Sequence, residues 1–281
     1  MVDWNSPDLL TLQQGASTLP PLISPSVSYQ LLCDTGEYLK LQHVIAGIYF
    51  WEFVISLDFD WSFISGRHGR KFRWPIIFYF LDRYCLLLAM IGLLVTLDTN
   101  RELNCMAFVR FNQFAGNCAV GFASINLAIR TMAIWSQNRY VISGLTLLIL
   151  GHWSIILTGV LIGSRWAPGV GCSLVSVNSK ILSAMFIYSM CFDFIVLCLS
   201  AFKLCHRREG SQIVQLLFKD GLIYFVVAFV SNMVATTFML LDLNPVMTSV
   251  ANAPAAVAST IVATRVVRHL FLYRDDMSEA S

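Results

Sequence analysis

Ionisable side chains interrupt the longest apolar stretches of this sequence, and they are the residues with the most capacity for chemistry. Glu52, Asp82, Arg83, Arg130, Asp193 and Asp220 each lie in or at the edge of a run that is otherwise almost wholly apolar. A charge at the centre of a bilayer-spanning helix costs about 2.5–3.5 kcal/mol on insertion scales, so each needs an ionic partner, water or a task. Arginine cannot shed its charge, so Arg83 and Arg130 must meet anions, carbonyl groups or water. At about 1.5 Å of rise per residue, Glu52 and Arg83 fall at matching depth on consecutive helices. Glu52 is therefore the expected partner of Arg83, with Asp193 the alternative. Together with Asn126 these residues form an expected intramembrane polar network. It reads either as static ion pairs that fix helix register or as a switch or proton path whose pairing changes with state.

Uncharged polar residues carry a second signal. In the third apolar stretch Gln113, Asn117 and Ser124 share one helical face while Asn126 and Arg130 lie roughly opposite. Such a helix cannot face lipid on either side and is expected at the centre of a bundle. Asn252, Ala256, Ser259 and Ala263 form a small-residue stripe in the last stretch, which Pro254 is expected to kink. Gln113, Asn117, Asn232 and Asn252 are the candidate pocket residues.

Catalytic chemistry has no visible constellation. The last stretch has no lysine for a retinal Schiff base, and His43 and His152 are too few for a multi-histidine zinc site. Gly-rich phosphate loops, a nucleophile elbow and HExxH are missing. No enzyme activity, metal or cofactor is expected.

The elements that must hold these residues follow from composition. Of 281 residues 57% are hydrophobic and 13% charged, about half the charged share of a soluble domain. The net charge of +2 is too small to imply nucleic acid. Seven stretches are long and apolar enough to cross a bilayer of about 30 Å: 41–58, 75–97, 106–136, 140–163, 180–203, 215–241 and 245–268. The expectation is an all-α integral membrane protein, a seven-helix bundle over 41–268 with an extracellular tail 1–40 and a cytosolic tail 269–281. Acids stand where a basic leader region would be, so the first span is the expected targeting signal.

Lys and Arg gather in alternate loops. Arg67, Arg70, Lys71 and Arg73 follow the first span, Arg139 the third, Lys203, Arg207 and Arg208 the fifth, and Arg265, Arg268 and Arg274 close the chain. These loops are expected inside, which puts the N-terminus outside. Cys105 and Cys172 then both fall on the outer face, where a disulfide between them is expected. Two free thiols, or a bridge to Cys33, are the alternatives. Cys85, Cys118, Cys191 and Cys198 read as small core residues within helices.

Beyond composition, particular segments are distinctive. WEFVISLDFDW, FYFLDRYCLLL, AIRTMAIWSQNRY, GCSLVS and above all LLFKDGLIYFVVAFVSNMVATTFMLLDLNPVMTSVANAPAAVASTIVATRVVRHL resemble a large group of multi-pass membrane proteins of mushroom-forming fungi, over about 41–270. The resemblance implies a fold and a lineage without an activity, and it marks Glu52, Asp58, Arg83, Arg130, Asp193 and Asp220. Glu52 stands where that family implies an aspartate, and Asp82 where it implies an asparagine. Architecture and Asn138-Arg139-Tyr140 are also similar to G-protein-coupled receptors, but NPxxY and CWxP are missing.

The expected function is receptor-like: an extracellular or intramembrane small-molecule or lipid ligand coupled to a cytosolic signalling partner, in the plasma membrane rather than an internal one. A transporter or proton-coupled channel, or a non-catalytic scaffold, is the alternative.

Overall fold

A computed structural model describes residues 25–65, 74–98, 104–135, 138–159, 163–167, 171–176, 179–206, 212–241 and 250–279. These form α1 (Pro25–Ile55), α2 (Leu57–Ile64), α3 (Trp74–Asp98), α4 (Cys105–Ile134), α5 (Arg139–Gly159), a hairpin of β1 (Gly163–Ala167) and β2 (Gly171–Ser176), α6 (Ser179–His206), α7 (Gln212–Leu241) and α8 (Asn252–Glu279). Among the described residues, five helices are long and apolar enough to cross a membrane: α3 to α7. Their outward residues are apolar as well, among them Leu147, Leu150 and Leu157 on α5 and Ile223, Val226 and Val230 on α7. Such a surface is tolerable only against lipid or other apolar matter. The chain is thus a helical protein suited to embedding in a membrane.

Helix α4 is central, packing on α3, α5, α6 and α8. Its apolar window is 56% buried, against 33% or less for the other four. Asn104 caps its start through a side-chain oxygen that accepts from the Ala107 amide at 3.4 Å. Asn138 caps α5 in the same way, accepting from the Tyr140 amide at 3.0 Å, while Tyr140 itself is exposed. The Asn138-Arg139-Tyr140 triplet thus opens a helix.

Gly121 brings α4 close to α5. A Cβ there would lie 3.2 Å from both Ile156 Cδ1 and the Trp153 ring. The ring packs on Phe122 and cannot swing away freely. Gly121→Val should therefore cost about 1–3 kcal/mol, read as a lower melting temperature of the purified protein.

Several expected boundaries differ. Helix α1 begins at Pro25, well before residue 41, and α8 continues to Glu279, past residue 268. Pro254 does not kink α8. It stands in the first turn, where the missing N–H has no intrahelical partner to lose. Residue 56 interrupts the first helix, and α2 follows as a separate short element. Ser56 bonds back to the Glu52 carbonyl at 2.6 Å, a contact that bends helices. Cys118 is buried as expected, but Cys191 and Cys198 are exposed on the outer surface of α6. The Cys105–Cys172 pairing and the Asp220 side chain lie outside the described residues.

Candidate functional site

Three polar layers stack along the bundle between the hairpin end and the α2 end. Nearest the hairpin is a cavity of about 390 Å³. All seven long helices line it, from Tyr38 on α1 through Leu86 to Leu97 on α3, Val109 to Val120 on α4, His152 on α5, Ser189 on α6 and Asn232 on α7 to Asn252 on α8. Gln113, Asn117, Asn232 and Asn252 all lie in its wall. Asn112, on the same face of α4, fits there because Gly92 opposite has no side chain; a Cβ would sit 2.5 Å from its Oδ1.

The cavity stops above a second layer. Its lining reaches Leu86 on α3, Val120 on α4 and Ala256 on α8, and about one to two turns further lie Asp82, Asn126 and Thr260. Asp82 is wholly buried, and its carboxylate accepts from Thr260 Oγ1 at 2.8 Å and Asn126 Nδ2 at 3.4 Å. A second buried acid, Asp193 on α6, accepts from Asn232 Nδ2 on α7. Asn232 therefore touches the cavity on one side and a buried carboxylate on the other.

Toward the α2 end the arginines are held. Arg83 Nη1 lies 3.1 Å from Asp60 Oδ2 and donates to Tyr79 Oη at 2.8 Å, and Tyr79 in turn donates to Asp60 Oδ1 at 2.9 Å. Nη2 donates to the Phe53 carbonyl, and the guanidinium stacks 4.2 Å from the Phe53 ring. Tyr49 Oη donates to the Arg83 carbonyl at 2.6 Å, so α1 grips α3 at both levels. The partners of both Nη atoms are thus drawn from α1, α2, α3 and the Ser56 link, while Nε is buried without one.

Neither Glu52 nor Asp193 is the partner of Arg83, contrary to the sequence expectation. Depth matches but direction does not. Phe53 faces α3, and the preceding residue is turned about 100° around the helix, toward α8. There Glu52 accepts from Arg265 Nε at 3.0 Å and Nη2 at 2.6 Å, and from Arg268 Nη2 at 2.6 Å. Asp193 is occupied with Asn232. Arg130 lies 5.6 Å over the Phe225 ring, where a cation is favourably placed.

Sequence patterning does not find Asp60, Thr260, Arg265 or Arg268. Asp60 reads as a loop acid until α2 returns it to α3. Arg265 and Arg268 read as topogenic tail charges, although their i, i+3 spacing was a signal that both could meet one acid.

No protein family, curated protein or solved structure matches the chain.

Proposed function

We propose that the chain is a receptor-like membrane protein with seven spans, its N-terminus outside and its C-terminus in the cytosol. A ligand held in the cavity near the outer end would be coupled, through the polar layers, to a partner at the basic inner end. The observation that carries this reading is the cavity itself: every long helix contributes to it, and it ends above buried polar layers. A ligand touching all helices can favour one arrangement of them over another, which is what coupling to a distant surface requires.

Two further features support seven spans. Helix α1 exposes Val44, Ile48, Trp51 and Ile55 along one stripe, a lipid-facing pattern despite its internal Gln42, His43 and Glu52. Helix α8 is enveloped by α7, α4, α3 and α1, so its Ser, Thr and Ala residues meet protein and hydropathy underrates it. The plasma membrane is the proposed location, and the likeness to fungal multi-pass proteins belongs to the same reading.

Cysteine accessibility tests it. In Gln113→Cys and Asn252→Cys, a membrane-impermeant thiosulfonate should react from the outer face only, with the unsubstituted protein as blank. Reaction from the cytosolic face would replace the receptor with a transport path.

A further inference from the structure

Arg130 is the cation that the fold leaves unanswered. Arg83 meets Asp60, and Arg265 and Arg268 share Glu52, but among the described residues no acid and no hydrogen-bond acceptor contacts the Arg130 guanidinium. What meets it is the Phe225 ring of α7, 5.6 Å away. A guanidinium cannot shed its charge, and a ring face replaces only part of the hydration it gives up. Arg83 Nε and Arg268 Nε are closed off inside the bundle, whereas Arg130 is half-buried and its nitrogens stay open to contact. An anion from outside the chain can therefore reach it.

The neighbours of Arg130 build a site around it. Tyr224 on α7 is half-buried, its ring centroid lies 6.3 Å from that of His269 on α8, and it stands within electrostatic reach of both Arg130 and Arg265. Arg265 and His269 are both exposed and lie one turn apart on α8. The seam between α7 and α8 thus has one guanidinium from the central helix, another on its exposed side, and a phenol within reach of both. Glu52 already serves two guanidinium groups, so it leaves excess positive charge here.

Depth selects among anions. Arg130 lies four residues before the end of α4, about 6 Å inside the helix end, which a lipid headgroup can reach. From the level of Tyr224 an apolar stripe of Ile223, Val227, Val230 and Val234 runs exposed along α7 toward the midplane, where an acyl chain would lie. Basic pockets between spanning helices on the cytosolic side suit anionic headgroups, and guanidinium groups take phosphate oxygens in pairs. A carboxylate on a soluble protein would use the cations but not the stripe. We propose that the α7–α8 seam holds the phosphate of an anionic phospholipid, with Arg130 and Arg265 as its cations and Tyr224 as a hydroxyl donor. The site requires only that the chain be embedded in a membrane, so it stands or falls apart from the ligand cavity.

Native mass spectrometry of the full-length protein in a non-ionic detergent tests this, with dioleoylphosphatidate and dioleoylphosphatidylcholine added in turn. One phosphatidate should be retained about tenfold more strongly than phosphatidylcholine. Arg130→Gln should weaken that retention about tenfold and Tyr224→Phe by a smaller factor. Arg139→Gln, which removes an exposed cation at the start of α5, should leave it unchanged. Without added lipid Arg130→Gln should melt no lower than the parent, because it removes a half-buried charge that no acid offsets. Should that variant fail to fold, Tyr224→Phe and the two-lipid comparison on the parent still decide. Equal retention of the two lipids overturns the proposal and leaves the cations to an acidic protein partner. Equal losses in Arg130→Gln and Arg139→Gln overturn the site, since diffuse charge then explains the preference. Displacement of phosphatidate by an equal concentration of glycerol 3-phosphate overturns the lipid as the source of the phosphate.

Discussion

Arg83→Leu is expected to cost the folded protein about 3–5 kcal/mol, because it strands the buried Asp60 carboxylate. Both side chains are only 3% exposed, so water cannot substitute for the lost partner. Asp60→Leu should cost a similar amount, since Arg83 cannot neutralise itself. The double variant should recover much of the loss, because two apolar residues leave no uncompensated charge. Denaturant or thermal unfolding in one detergent across the four proteins gives the coupling directly. Simple addition of the two losses would show that the pair is not an energetic unit. Arg83→Lys should not rescue. One ammonium cannot reach Asp60, Tyr79 and the Phe53 and Ser56 carbonyls that the guanidinium serves together.

What the sequence revealed and what it hid divide along physical lines. Hydropathy finds helices that expose apolar faces, and α3 to α7 do so. The weaker stretch 245–268 was also read as a span, although α8 carries Ser259, Thr260 and Thr264, as a helix surrounded by protein is free to do. Polar residues on two faces of one stretch mark α4 as central, since only a helix with neighbours all round can bear Gln113 and Asn126 together. Axial depth can likewise be counted from a sequence at about 1.5 Å per residue. Rotation about the axis cannot, because it is set by packing against elements not yet placed. That is why Glu52 and Arg83 match in height yet face different neighbours. The break at Ser56 was invisible for a related reason: a serine bonding back to the preceding turn leaves no mark in hydropathy, yet it delivers Asp60.

Glu52 provides the complementary test of that rotation. Its carboxylate joins α1 to α8 by meeting Arg265 and Arg268 at once, and those arginines stand three residues apart on one face. Glu52→Leu should leave two like charges adjacent without their anion. Arg265 is 48% exposed, so water and ions will satisfy most of it, and its share of the loss is small. Arg268 is 16% exposed and carries the larger share, so a total near 3 kcal/mol is expected, at the lower end for a broken buried pair. Glu52→Gln should fall between, because an amide oxygen still accepts from one guanidinium. Hydrogen exchange should quicken along α8 beyond Arg265, where the clasp holds, with α5 unaffected. The deciding comparison is with Arg83. Glu52→Leu combined with Arg268→Leu should regain stability relative to the single change, whereas Glu52→Leu combined with Arg83→Leu should regain none, because the two residues share no partner. Rescue in the second combination and not the first would mean that α1 is rotated toward α3, and the arrangement of the three polar layers would have to be redrawn around a Glu52–Arg83 pair.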